Sequence, residues 1–234
     1  MTVVAIHQPN FLPWLGFFDK LARADKFVIL DSVPLQLTGG NYTNRVRMIV
    51  NGVPAWITMP LRRGHDARNR IDQAEVVDEP KWRRKIRSTI AQSYAKAKFF
   101  DLAMGIVDRM LDLRTASLAD INMTGIVAVA EVLGLSPAKI VRSSALSAGG
   151  HSNELLANLV TAVGGDTYLA GHGAGGYQDD DVFASRGIAV KYQDYAPPTY
   201  PQIGNGEFIP GMSAIDALMN CGQGAAKLIG SQAG

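Results

Sequence analysis

The chain has a single cysteine, Cys221, so it can form no internal disulfide. No apolar run approaches the roughly 20 residues that a bilayer-spanning helix needs. The opening "MTVVAIHQPN" lacks a basic stretch and a small-residue cleavage site, so it does not read as an export signal. Together these absences lead to an expectation of a cytoplasmic protein with no membrane span. Familiar catalytic signatures are missing too. There is no GxSxG, no P-loop, and no HxxxH or HxH spacing among His7, His65, His151 and His172. No metal site is therefore expected, and Cys221, in "MNCGQG", reads as a structural thiol.

Charge is scarce as well, at 19% of 234 residues, while hydrophobic residues make up 47%. That suffices for one substantial core. The net charge is only +2, but it is unevenly spread. Arg45, Arg47, Arg62, Arg63, Arg68 and Arg70 fall in one stretch, followed by Lys81, Arg83, Arg84, Lys85 and Arg87. Local positive charge of this kind suits an anionic ligand such as a phosphorylated small molecule or RNA. For residues 81–87 a solvated helix face explains it equally well. Arg62 and Arg63 lie in a glycine-containing loop, where a ligand role is more natural.

Strand-like and helix-like patterns alternate at both ends of the chain. "TVVAI" is a β-branched run. "PWLGFFDKLARA" repeats Trp14, Phe17, Phe18 and Leu21 at helical spacing, and "KFVILD" has the near-continuous apolarity of a strand buried on both sides. "NRVRMIVNGVPAWITMPL" reads as a hairpin turning at Asn51-Gly52, inserted into or extending the main sheet. "QAEVV" is a further short strand. Residues 80–135 are helical and form a subdomain of one domain spanning 1–234. After them "AKIVRSS", "TYLAG" and "IAVKYQDY" alternate with helices, the last being "PGMSAIDALMNCG". The expectation is an α/β fold with a mostly parallel Rossmann-like sheet, an inserted β-hairpin and a helical middle.

In such a sheet, ligands bind outside the carboxyl ends of the strands. Polar or awkward residues follow each strand here: "HQPN", then Asp31 and Ser32, then Ser143 and Ser144, then "AGHGAGGY", then "APPTYPQ". If the strands are parallel, these turns meet on one rim. His7 is the leading candidate for chemistry, since it can donate or accept a proton near neutrality; a buried histidine bonded to backbone is the structural alternative. Gln8 and Asn10 can recognise a ligand through their amides or merely fix the turn, and Trp14 is either core or a wall of the site. "GHGAGGY", from Gly171 through His172 to Tyr177, exposes backbone N–H groups that can cradle an anion.

The stretch "IHQPNFLPWLGFFDKLARADKFVILD" resembles the opening of the WbqC-like protein family. "NYTNRVRM", "DTYLAG" with Tyr177, "FASRGIAVKYQDY", "YPQ" and "FIPGMSAIDALMNCG" extend the likeness over almost the whole chain. His7, Gln8, Pro9, Asn10, Trp14, Gly16, Asp31, Asn44, Arg45, Tyr168, Gly171, Tyr177, Tyr200 and Gln202 are the matching residues. "SAGGHSNELL" departs from the pattern, where a more basic helix start is expected. The family is associated with O-antigen, other polysaccharide and secondary-metabolite clusters. The resemblance implies a biosynthetic transferase that moves an aminoacyl (glycyl-type) or acyl group onto an amino sugar or similar amine. A nucleotide or an aminoacyl-tRNA would be the donor, and a small amine or sugar nucleotide the acceptor. His7 and Asn10 would then do chemistry. Gln8, Trp14, Asp31, Asn44, Arg45, Arg62, Arg63, Gly171, His172, Tyr177, Tyr200 and Gln202 would hold substrate.

The strand, His-containing turn, helix and second strand are also similar to nucleotidylyltransferases and other HUP-like folds. Those hold ATP phosphates with a two-histidine HxGH motif, of which only His7 has a counterpart. An NTP-dependent adenylyl- or nucleotidylyltransferase is therefore a second reading, and a non-catalytic binding module of a glycan-assembly complex a third.

Overall fold

A computed structural model describes all residues except 37–40, 63, 65–68, 78, 172–177, 205 and 231–234. Five strands form one sheet: β1 (Val3–His7), β2 (Lys26–Ile29), β5 (Ile140–Arg142), β6 (Thr167–Ala170) and β7 (Ala189–Tyr192). Their order is β5-β2-β1-β6-β7, and every neighbouring pair is parallel. The first strand is thus central. The chain fills one side of it, then crosses to the other. This is the Rossmann-like order, in which β1 and β6 part at the point where the winding reverses.

Alternation along each strand divides the core between the two faces. Ala5, Phe27, Ile29 and Leu169 face the larger cluster, with α1 (Leu15–Arg23), α3 (Phe100–Leu111), α4 (Leu118–Val132) and α7 (Ala214–Cys221). Val4, Ile6, Val28 and Tyr168 face a smaller one, under α5 (Ser152–Ala162) and α6 (Asp180–Ala184). Helix α1 buries Phe17, Phe18 and Leu21, each stabilising by about 2 kcal/mol.

The hairpin forms as its sequence implies, from β3 (Arg45–Val50) and β4 (Val53–Thr58), with Asn51 and Gly52 both at positive φ in the turn. It makes its own two-stranded sheet and does not extend the main one. Residues of "QAEVV" make isolated bridges only, Leu61 to Val76 and Glu75 to Ser117, beside a short 3₁₀ turn at Ile71–Gln73. Helix α2 (Pro80–Ser93) buries Trp82, Ile86 and Ile90 as its spacing requires. Its apolar face joins the larger cluster with Met48 and Ile49 of the hairpin. Among the described residues no helix is long and apolar enough to cross a membrane.

Candidate functional site

The turn after β1 is strained and held from three sides. Leu12 has a φ of 43°, an unfavourable backbone for a branched residue, and precedes a proline. Asn122 of α4 donates to the Pro9 and Thr43 carbonyls, each at 2.7 Å. Ser213, the N-cap of α7, donates to the Leu12 carbonyl at 2.8 Å, and the Ala214 N–H donates to Pro13 at 2.8 Å. The Phe11 N–H donates to the Tyr42 carbonyl at 2.9 Å. Strain persists only where surroundings enforce it, and it gathers at functional sites. Here the enforcers come from α4, α7 and the segment leading into the hairpin.

The turn opens onto a cavity of about 370 Å³, lined by His7, Asn10, Phe11, Pro13, Trp14, Tyr42, Val46, Arg47 and Gly211. That volume lies within the range of small-ligand sites. Trp14 is fixed by its neighbours. A Cβ on Gly16 would come within 2.3 Å of the indole, so only glycine leaves the ring room, and Tyr195 meets it edge-on at 5.4 Å.

His7 forms one wall of the cavity. The Gln8 carbonyl lies 3.0 Å from Nδ1, which assigns the ring hydrogen to Nδ1 and leaves Nε2 with its lone pair. Phe17 packs edge-on at 4.9 Å. Burial, and then the positive charge of Lys20, push the His7 pKa down to about 4, so the ring is neutral at physiological pH. Asn10 is buried, and among the described residues no group hydrogen-bonds its amide. Arg47 has no carboxylate partner among the described residues. The lining contains no acid at all. A neutral base, an amide and a guanidinium between aromatic walls can bind an anion and accept a proton from a nucleophile.

Behind this wall sits Lys20. It is 3% exposed and donates to the Ile6 carbonyl at 2.9 Å. A Cβ on Gly171 would lie 3.9 Å from its Nζ, so the ammonium occupies the parting of β1 and β6. Burial lowers its pKa to about 8. No ion pair neutralises it among the described residues.

The remaining candidates divide clearly. His7, Asn10 and Trp14 come together in the cavity, with Gln8 and Gly171 next to it in the chain and sheet. Asp31 is fully buried and its carboxylate is occupied: Arg142 Nε, the Ser143 and Ser144 hydroxyls and the Ser144 N–H all donate to it. It ties the end of β2 to the end of β5. Asn44 is latched between Asn41 and the Met59 carbonyl, at 2.8 and 3.0 Å. Arg45 donates to Asn41 O and stacks on Trp56. Arg62 pairs with Glu75 on the surface. Tyr200 and Gln202 both donate to Asp216 Oδ2, while Tyr94 donates to Oδ1, a buried cluster beneath α7. Arg63, His172 and Tyr177 lie outside the described residues.

Sequence reasoning missed three members. Lys20 stands three residues after Phe17 and four after Gly16, on the flank of the apolar stripe, and helical spacing alone marks it as inward-leaning. Arg47 stands out in the sequence as charge only, with nothing to mark it as a cavity wall. Tyr42 carried no local signal.

A larger cavity, about 490 Å³, lies between α2 and the α3–α4 connection, remote from the strand ends in the chain and rich in arginine. Arg83 there donates to the Leu111 and Thr115 carbonyls, and Arg87 pairs with Asp108 and Asp112. These arginines bind α2 to α3. Among the described residues no three His, Cys, Asp or Glu side chains gather as a metal site requires.

The family model described as "WbqC-like protein family" matches residues 8–228. A curated relative, "Uncharacterized protein Rv1507c" of Mycobacterium tuberculosis (strain ATCC 25618 / H37Rv), is 30% identical over 224 residues, covering 95% of each chain. No solved structure matches.

Proposed function

The chain belongs to the WbqC-like protein family, and from that premise we propose that it is a transferase placing an acyl group, of the glycyl type, on the amine of an amino sugar or a similar small molecule. The observation that carries this reading is the His7 imidazole, neutral and with Nε2 unencumbered, on the wall of a cavity that holds Arg47 and no acid.

The chemistry follows from these groups. The amine nitrogen attacks the carbonyl carbon of an ester or thioester donor and a C–N bond forms. His7 Nε2 accepts the ammonium proton. The developing oxyanion meets the Asn10 amide and the Arg47 guanidinium. The C–O or C–S bond to the leaving group then breaks, and His7 returns the proton to it. Trp14 and Tyr42 offer flat faces to a sugar ring. An anionic substrate beside the ring raises its pKa and makes it a better base once the complex forms.

Lys20 at the parting of β1 and β6 favours a second reading, an NTP-dependent adenylyl- or nucleotidylyltransferase, because this is where α/β sheets hold phosphates. Thermal shifts separate the two. Stabilisation by NTP with magnesium, followed by release of pyrophosphate, supports nucleotidyl transfer. Stabilisation by amino sugars with aminoacyl thioesters, followed by a new amide in the mass spectrum of the mixture, supports acyl transfer.

A further inference from the structure

The hairpin leaves aromatic surface in water beside the cavity. Of the five exposed large hydrophobics among the described residues, Tyr42, Val53 and Trp56 belong to the hairpin or the segment entering it. Trp56 is 44% exposed and Tyr42 42%, with ring centroids 5.5 Å apart. The Arg45 guanidinium lies 4.5 Å above the Trp56 ring. Arg47 is the direct cross-strand neighbour of Trp56. Two of these four residues, Tyr42 and Arg47, also line the cavity of His7. The aromatic surface is therefore continuous with the cavity, and its charge is of one sign.

We propose that this Tyr42–Trp56 platform stacks the base of a nucleotide, so that the substrate entering the His7 cavity carries a nucleobase with its phosphates against Arg47. Aromatic rings accept any base face, and arginines beside them satisfy the backbone charge. A purely apolar partner would leave the Arg47 guanidinium facing carbon. A nucleotide uses both features in the order in which they occur, base outside and reacting end within. The inference rests on the cavity being the active site and deepens that reading by naming the substrate class. Two sources share the chemistry, a sugar nucleotide and the end of a single-stranded RNA.

The test is calorimetric titration of the intact protein with CMP, UMP, AMP, GMP, UDP-N-acetylglucosamine and a short single-stranded RNA. Wild type should bind at least one of them. Trp56→Ala should weaken that binding by about tenfold or more. Trp56→Phe, which keeps a ring, should restore most of it, and Arg47→Gln should weaken phosphate-bearing probes at unchanged fold by circular dichroism. Tighter binding of RNA than of any mononucleotide identifies an RNA end as the source; tighter binding of the sugar nucleotide identifies a small donor. Either supports the platform. Failure of every probe to bind, or equal affinity in wild type and Trp56→Ala, overturns it. His7→Ala separates the two proposals. It should bind these probes as wild type does, whatever happens to turnover.

Discussion

The Lys20 ammonium donates to the Ile6 carbonyl at 2.9 Å, which places a buried positive charge where β1 and β6 separate. Burial alone opposes this arrangement. The lowering of the Lys20 pKa from 10.5 to about 8 corresponds to about 3 kcal/mol of lost stability at neutral pH. Among the described residues no carboxylate pairs with this charge, and its one hydrogen bond is to the Ile6 carbonyl.

Lys20→Met should therefore stabilise the protein and abolish function. We expect a gain of about 2 kcal/mol at pH 7 once the lost bond to Ile6 is deducted. Between pH 8 and 10.5 the unfolded lysine holds a proton that the folded one has released, so wild-type stability rises with pH across that window. The gap between variant and wild type should close there. Denaturant melts at pH 7 and 10 measure both. A variant less stable than wild type at pH 7 would make Lys20 a structural brace.

The pH profile of kcat/KM should be broad and displaced to acid. His7, lowered from 6.5 to about 4, stays neutral far below the usual histidine range, so the acid limb belongs near pH 4. Lys20 loses its charge near pH 8, which sets the alkaline limb. Stability follows the same sign. As pH falls from 6.5 to 4 the unfolded His7 gains a proton that the folded one refuses, and stability drops. An acid limb near 6.5 would show that His7 is solvated or is not the base.

Much of this site was legible in the sequence because its turns follow short, strongly patterned strands. Continuous apolarity in "KFVILD" and helical spacing after Pro13 give the order of β1, α1 and β2, and that order alone puts His7 at a strand end. The limits were physical. Asp31, Asn44, Tyr200 and Gln202 look like ligands because polar residues in connecting segments usually are exposed. In three dimensions they bond to other side chains or nearby backbone, and Asp31 accepts from Arg142, Ser143 and Ser144. Contacts more than 100 residues apart in the chain leave no local trace. Arg47 and Tyr42 join the cavity only because α4 and α7 pin the turn against the hairpin, a relationship no periodicity encodes.

Gly16→Ala should disturb the cavity wall. The new methyl would sit 2.3 Å from the Trp14 ring, so the indole must rotate away. Overpacking of this kind costs about 1–3 kcal/mol. A lowered Tm with shifted tryptophan emission is the expected result, and a variant with wild-type Tm would mean that the turn relaxes freely.

Asp31→Ala should be the most destabilising of the polar substitutions. It leaves Arg142 with Asp120 alone and takes the acceptor from the Ser144 hydroxyl and N–H at the join of β2 and β5, at about 1–3 kcal/mol. Urea unfolding measures it. Loss of activity without loss of stability would make Asp31 a substrate-binding residue.

The most direct measurement is the turnover of His7→Ala, in protein whose thermal melt matches wild type, once an acyl donor and amine acceptor have been found. A general base contributes typically 10²–10⁴-fold, so we expect kcat to fall by at least about a hundredfold with probe binding preserved. Turnover within twofold of wild type would contradict the assignment of this cavity's chemistry to His7.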